Sequence, residues 1–483
     1  MLDRMDAFPH LDDYDRPMSV SASLALSCST SDYSMTTSSG APLLTPEMSQ
    51  SPALPGMLPP SARTASPYPD ISMVTPLVGG SPGSFSSPVL SNFHQQENRQ
   101  ILVDHFCDSL VQLLVFKEEP ANPFRQLILP MSRRSSAVMN AIFAVSAAHM
   151  EHRGIENVEK SLDFHSRTIQ GLTKLIENPK SNRDEALAVI MLLVYFEIVR
   201  SGSTLVVNSH LRGAMSIMRT RRSNNGPTSN FLEKTFRYFD VMCSLSTGGS
   251  PMSGNVPLAS NRELLPVPGS PSLTMVDIVF GLVTDLWPIV HRMAHIVELK
   301  HEMENEEHNL TDRAMSLRAE FETAASTLEL ALHQWTPRTP GSFVSSDTPS
   351  EDSKLQSMVN NAEAYKQASL VFLFRTIRGL PRHAEKVQVH AKQALQACLR
   401  VIVFAGPMST LLWPLFISSC EAIDEVDRDV SRSVFTHLDN RQGMQNIVHA
   451  LDITHEVWRR QNEGHESHWK TVCHDMDRNI VFG

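Results

Sequence analysis

His291, His295, Glu298 and His301 form the most metal-like constellation in the chain. They lie in HRMAHIVELKH at steps of four, three and three. On a helix those steps set the side chains along one side, and imidazoles one turn apart can chelate zinc or copper. His308 extends the run. Glu298, however, is not at the general-base position of an H-E-x-x-H motif, and the EMENEEH that follows reads as a solvated acidic face. His149 with His152 (HMEH) and His465 with His468 (HESH) are one-turn pairs with no third ligand in a recognisable motif. Each is expected to be a partly exposed helix histidine.

Nucleophilic and phosphate chemistry find even less support. There is no G-x-S-x-G elbow, and Cys473 beside His474 has no usable geometry because adjacent side chains diverge. Gly248-Gly249 is not followed by Lys-Ser or Lys-Thr, as a phosphate-cradling loop would be. The sequence therefore carries no enzyme signature. It assigns no catalytic, cofactor-binding or metal residue, and no cofactor is expected. The six cysteines, Cys28, Cys107, Cys243, Cys398, Cys420 and Cys473, include no two close enough for the paired spacing of a small zinc module, whose thiolates must converge to about 2.3 Å from the metal. They read as reduced, mostly buried thiols.

The elements that carry these residues are helices. Residues 1 to 97 are rich in Ser, Thr and Pro and contain no long amphipathic period. Too little clustered apolar surface is present to offset about 1 to 2 kcal/mol of ordering entropy per residue, so a disordered arm is expected. Its Ser-Pro and Thr-Pro pairs are common in such arms and could accept phosphate. In the first fifteen residues Leu2, Met5, Phe8, Leu11 and Tyr14 alternate with Asp3, Asp6, Asp12, Asp13 and Asp15, a pattern that keeps apolar side chains solvated yet available to a partner groove, as in acidic activation segments. No basic region precedes an apolar core there, so no secretory leader is expected.

From Asn98 to Gly483 the periodicity is helical. Asn122-Pro123 and Leu129-Pro130 mark a loop. Ile101, Leu102, Cys107, Leu110, Leu113 and Leu114 give a helical apolar face, and helices are expected to follow near 135–152, 157–177, 183–200, 205–219, 229–246, 275–307, 310–334, 355–379, 383–405, 411–424, 427–438 and 442–461, with no convincing strand. Two excursions, 247–272 and 336–352, are expected to be mobile. The result is an all-α class: one large, irregular multi-helix domain over 98–483, with a two-lobed arrangement open to it around the first excursion. The uncharged run Val401 to Ser418 approaches the roughly 18 residues of a minimal membrane span. Gly406-Pro407 and Pro414 break it, so a buried helix pair is expected and no membrane partner. The net charge of −10 disfavours nonspecific attraction to a phosphate backbone. The basic cluster Arg219 to Arg222 closes a helix, where the macrodipole favours cations, with nuclear import as the functional alternative. Arg133-Arg134 precede a helix that Ser135 or Ser136 would cap.

Several segments resemble, in order, the regulatory domain of fungal transcription factors that carry a six-cysteine binuclear zinc cluster. They are Asn122-Pro123, Leu129-Pro130, AIFAVSAAH at 141–149, the His165 helix leading to Leu172, ALAVIMLLVYFE at 186–197, HLRGA at 210–214 and Tyr238 to Val241. Trp335 with Pro337 follows, then Trp413-Pro414-Leu415-Phe416, Glu421-Ala422, Arg428, Gly443 with Asn446, Glu456-Val457-Trp458 and the ending NIVFG. The resemblance implies a nuclear regulator of fungus-specific genes, in metabolism, secondary-metabolite clusters, drug tolerance or development. It also implies an all-helical domain that controls activity and takes part in homodimers or in heterodimers with a zinc-cluster regulator. This chain departs from the pattern in having no cysteine cluster and no basic linker followed by heptads. Contact with promoter DNA is therefore expected to be indirect, through a partner or a zinc cluster missing from this chain, for instance on a lost upstream exon. The arm would address the transcription machinery. A helical binding module or scaffold without a direct transcriptional role is the alternative class.

Overall fold

A helix whose apolar residues cover every side must be wrapped by other helices, and Arg183–Arg200 (RDEALAVIMLLVYFEIVR) is such a segment. In the computed structural model it is the central post, with every residue from Ala186 to Val199 buried. The structure describes residues 88–483 apart from 117–121, 179–181, 201, 221–225, 254–276, 278, 307–311, 339–348 and 405–407. Residues 1–87, Arg221, Arg222 and most of both excursions therefore lie outside the described residues.

Helices of seven residues or more are numbered in chain order. The first half of the molecule holds α1 Pro88–His105, α2 Ser136–His152, α3 Ser161–Glu177, α4 Arg183–Arg200, α5 Thr204–Thr220 and α6 Pro227–Thr247. The second half holds α7 Trp287–Glu306, α8 Asp312–Gln334, α9 Pro349–Phe372, α10 Glu385–Val403, α11 Leu412–Ser419, α12 Glu425–Gln442, α13 Gln445–Asn462 and α14 Trp469–Asp475. The fold is all-α: among the described residues the only β feature is an isolated bridge between Asp277 and Gly281.

In the first half α4 packs against α2, α3, α5 and α6. The α2–α3 approach is close because Gly171 has no side chain; a Cβ there would lie 2.7 Å from the Ala137 Cβ. In the second half α9 and α10 form an extended pair, and α11 packs on both. On α10 the buried residues Val387, Ala391, Ala394, Leu395, Cys398 and Val401 follow the steps of three and four that make an apolar stripe. The residues of α11 are buried throughout. Pro414 is its third residue, where the backbone N–H would have no intrahelical partner in any case. The uncharged run is thus two helix segments, and no helix of the described residues is long and apolar enough to cross a membrane. The halves meet where α4 touches α13 and α6 touches α7, and a single apolar core runs from Leu102 to Phe482.

Three segments differ from the sequence expectation. The expected loop around Asn122-Pro123 and Leu129-Pro130 is helical: a π-helical turn at Phe124–Ile128 leads into a short helix at Leu129–Ser132. Both prolines sit in or just before a first turn, where a missing N–H costs nothing. Asn122 anchors the turn by donating to Val111 O (2.8 Å) and accepting from Phe124 N (2.9 Å). Further π turns occur at Phe106–Leu110 and Leu373–Ile377. The helix expected from 275 begins only at Trp287, after turns in which the Asp277 carboxylate accepts from Val279 N (2.8 Å) and Phe280 N (2.9 Å) and pairs with Lys234. That side chain offers the backbone a non-helical alternative. Finally, α14 was not expected, and α1 is already helical from Pro88.

Candidate functional site

The histidine stripe of α7 faces the chain that leaves α6. Ser250 Oγ lies 3.1 Å from His295 Nδ1 and donates to Glu298, and Ser253 Oγ lies 3.4 Å from His291 Nε2. The rings of His291 and His295 meet edge to face at 4.8 Å. Burial, helped by His295, lowers the His291 pKa to about 4. These side chains act as hydrogen-bonding partners of a turn, and among the described residues no group of three or more His, Cys, Asp or Glu is placed to hold a metal. Cys473 and His474 diverge: the thiol is buried and pushed up to about 12, while His474 is exposed. Arg219 donates to Met252 O at 2.9 Å, tying the end of α5 to the same turn. Ser135 takes the N-cap position of α2 without a side-chain cap bond.

The residues of the C-terminal motif are brought together as packing and capping groups. Glu421 is buried between two arginines, accepting from Arg375 Nε at 2.8 Å and Arg382 Nε at 3.1 Å. Arg382 also donates to Ser467 O (2.9 Å), and its backbone N–H reaches Glu466 (2.8 Å). Arg428 stacks its guanidinium 5.4 Å from the Trp458 ring centroid and donates to Asn462 Oδ1 and Gln461 Oε1, both at 2.9 Å. Trp458 Nε1 donates to Ser419 O at 2.8 Å, linking α13 to α11. Gly443 ends α12 with φ 57°, a left-handed cap that its lack of a Cβ permits.

Where the halves meet, these residues join others into a seam. His149, on α2, places Nε2 2.8 Å from Gln442 O and Nδ1 2.8 Å from His105 Nε2. A neutral ring donating from Nε2 and accepting at Nδ1 satisfies both contacts. Burial holds the His149 pKa down at about 4, so the ring stays neutral. Arg153, one turn on, donates to Asn440 O at 3.1 Å. Two side chains of the first half thus satisfy carbonyls that the C-terminus of α12 leaves without intrahelical partners. The tail Asn479 to Gly483 is threaded between the halves. Ser246 Oγ of α6 donates to Ile480 O (2.6 Å), Asn446 Nδ2 of α13 donates to Val481 O (2.9 Å), and Phe482 meets Phe416 of α11 with centroids 5.5 Å apart. Gly483 lies against Phe239, where a Cβ would come within 2.4 Å.

The seam encloses a cavity of about 30 Å³ lined by Leu114, Phe116, Tyr195, Tyr238, Met444 and Gly483 among others. That volume holds roughly one water, whereas small-molecule sites run to several hundred Å³. Burial raises the pKa of both tyrosines, so neither is poised as a base. The seam is therefore a joint: apolar, hydrogen-bonded at its rim, and built from both halves. The sequence pointed to Gly443, Asn446, the tail and the helix ending in His149. It did not reveal that they meet, because no local pattern records the pairing of α2 with α12.

A family model described as Fungal specific transcription factor domain matches residues 100–483. No curated protein and no solved structure matches the chain.

Proposed function

Because the chain belongs to the fungal-specific transcription factor domain family over residues 100–483, we propose that it is a nuclear regulator of fungus-specific genes. The programmes in view are metabolism, secondary-metabolite production, drug tolerance or development. It reaches promoters through a partner, or through a zinc cluster missing from this chain. The observation that carries this reading is the conversion of the motif residues into joints. Glu421, Arg428, Asn446 and Trp458 hold helices together and none of them presents a reactive group. Such a domain transmits or withholds an interaction. The cysteines of the described residues are free thiols spread over both halves, and Cys243, Cys398, Cys420 and Cys473 are buried. That suits a domain that leaves DNA reading to another module, with homodimers or heterodimers with a zinc-cluster regulator as the working assembly. The acidic, hydrophobic first fifteen residues suit a segment that engages the transcription machinery.

Chromatin immunoprecipitation of the full chain, beside a binding assay of the purified protein on the same promoter fragments, tests the proposal. Occupancy in cells without binding by the purified protein is the expected result. Sequence-specific binding by the purified protein would place DNA reading in this chain. No occupancy, with the protein confined to the cytosol, would make it a scaffold.

A further inference from the structure

The chain contains three Arg-Arg pairs, at 133–134, 221–222 and 459–460, and only the first is followed two residues later by a hydroxyl, that of Ser136. Arg221 and Arg222 lie outside the described residues, and Arg459 and Arg460 are held by Glu456, Glu463 and Asp475. The first pair is placed differently. Arg133 and Arg134 occupy an exposed turn between the short helix Leu129–Ser132 and α2, and Ser135 continues it with extended backbone, φ −121° and ψ 108°. The side chain of Arg134 is 62% exposed, and its ion pair with Glu185 at 3.0 Å is of the surface kind that is worth little. Ser135 is buried whereas Ser136, the first residue of α2, is exposed. Ser136 is tied into the helix through its backbone carbonyl, which accepts from Asn140 Nδ2 at 2.8 Å.

Two guanidinium groups presented just before an exposed hydroxyl are a recognition feature for a protein kinase, because each can bind a carboxylate of the enzyme through two parallel N–H···O bonds. The surroundings also suit the product. The approach of Gly171 to Ala137 and the contact of Phe143 with Phe164, centroids 5.1 Å apart, set α3 antiparallel to α2. Lys174, exposed in the last turn of α3, therefore lies at the end where α2 begins. Three cations, Arg133, Arg134 and Lys174, stand there against two acids, Glu177 and Glu185. No acidic residue occupies the first turn of α2, where added negative charge is favoured by the macrodipole. We propose that Ser136 is a phosphorylation site for an arginine-directed protein kinase. In that step Ser136 Oγ bonds to the γ-phosphorus of ATP, the bond from that phosphorus to the β–γ bridging oxygen breaks and ADP departs. The hydroxyl proton passes to the carboxylate base of the kinase. The new charge stands at the start of the helix that carries His149 to the seam. The inference is independent of the transcriptional reading, since it rests on this turn alone.

Incubating the purified full chain with an arginine-directed kinase and ATP, then locating phosphate by mass spectrometry of its peptides, tests it. A synthetic peptide of residues 131–140 in a parallel reaction reports that the kinase is active. Phosphate on Ser136 of the full chain is expected. Ser136→Ala should remove it from that peptide, and Ser135→Ala should retain it. Arg133→Gln and Arg134→Gln together should slow phosphorylation of Ser136 at least about tenfold, the size of one lost charge-assisted contact. Thermal unfolding separates access in the folded chain from access through unfolding: the chain phosphorylated at Ser136 should keep a cooperative transition, at the temperature of the unmodified chain or above it. Should Ser136→Ala fail to fold, the double arginine variant, altered only at exposed side chains, carries the same comparison. The proposal is overturned by an absence of phosphate on Ser136 of the full chain, by a rate that ignores the loss of both arginines, or by a phosphorylated chain without its cooperative transition.

Discussion

The histidine stripe of α7 and the seam at the end of α12 are built from similar side chains put to opposite uses. On α7, His291 and His295 repeat at a spacing that chemistry could use, yet they hydrogen-bond to serines of a neighbouring turn. At the seam His149, expected from its HMEH pairing to be a partly exposed helix histidine, is instead fully buried and makes a polar contact between α2 and α12. A helical period brings ligands to one face, but a site also needs a second element converging on that face. At α7 that element brings hydroxyls; at the seam it brings carbonyls that need a donor. Burial is what makes the second contact consequential, because an unsatisfied buried acceptor costs about 1–3 kcal/mol.

The contrast can be broken most forcefully at Glu421. Glu421→Leu leaves the buried Arg375 and Arg382 without their shared carboxylate, and urea unfolding should show a loss of about 3–5 kcal/mol. A smaller effect comes from pH. The unfolded chain protonates its histidines near the ordinary value of 6.5, whereas His149 in the folded state resists until about 4. The folded state thus binds fewer protons in that window, so stability is full above pH 6.5 and falls as the pH drops toward 4. A single such group contributes about 3 kcal/mol. His210, His291 and His390 act in the same direction. His149→Gln should flatten the loss measured between pH 7 and pH 5.

Smaller again is Gly443→Ala. It imposes a left-handed conformation on a residue with a Cβ and brings that Cβ to 3.3 Å from Arg153 Cγ. A loss of about 1–2 kcal/mol is expected in the same unfolding assay. His291→Ala closes the series with a change below about 1 kcal/mol and no change in bound metal by elemental analysis. A large loss there, or the disappearance of a stoichiometric metal, would reverse the contrast.

Much of the fold was legible because the helices advertise themselves. The stripe on α10, the all-round apolar α4 and the glycine that stops α12 each state their role locally. The Leu412 segment was readable through its breakers as a buried helix. Other features depend on contacts that no window contains. The seven residues of α14 are too short to display a period, and its boundaries depend on His468 as N-cap and on the underlying Phe416. The π turns insert one residue where tertiary packing demands it. The late start of α7 had a readable signal in Pro288, which suits a first helical turn. The candidate joint was partly legible as motif residues. Its geometry was not, since His149 and Gln442 are 293 positions apart.

The central claim is that the tail and its partners make the two halves one cooperative unit. All five tryptophans lie from Trp287 onward, and Trp287 alone is stacked on a first-half ring, Tyr238 of α6, so tryptophan fluorescence weights the second half, while far-ultraviolet circular dichroism follows both halves. Urea unfolding of the chain with residues 479–483 deleted, read by both probes beside the full chain, tests the claim directly. Deletion removes Ile480, Val481 and Phe482 from the core, side chains worth about 1.5–3 kcal/mol each. The two probes should coincide in the full chain, and in the deletion both should move to lower urea or separate into two transitions. Unmoved midpoints for both probes after deletion would contradict the claim.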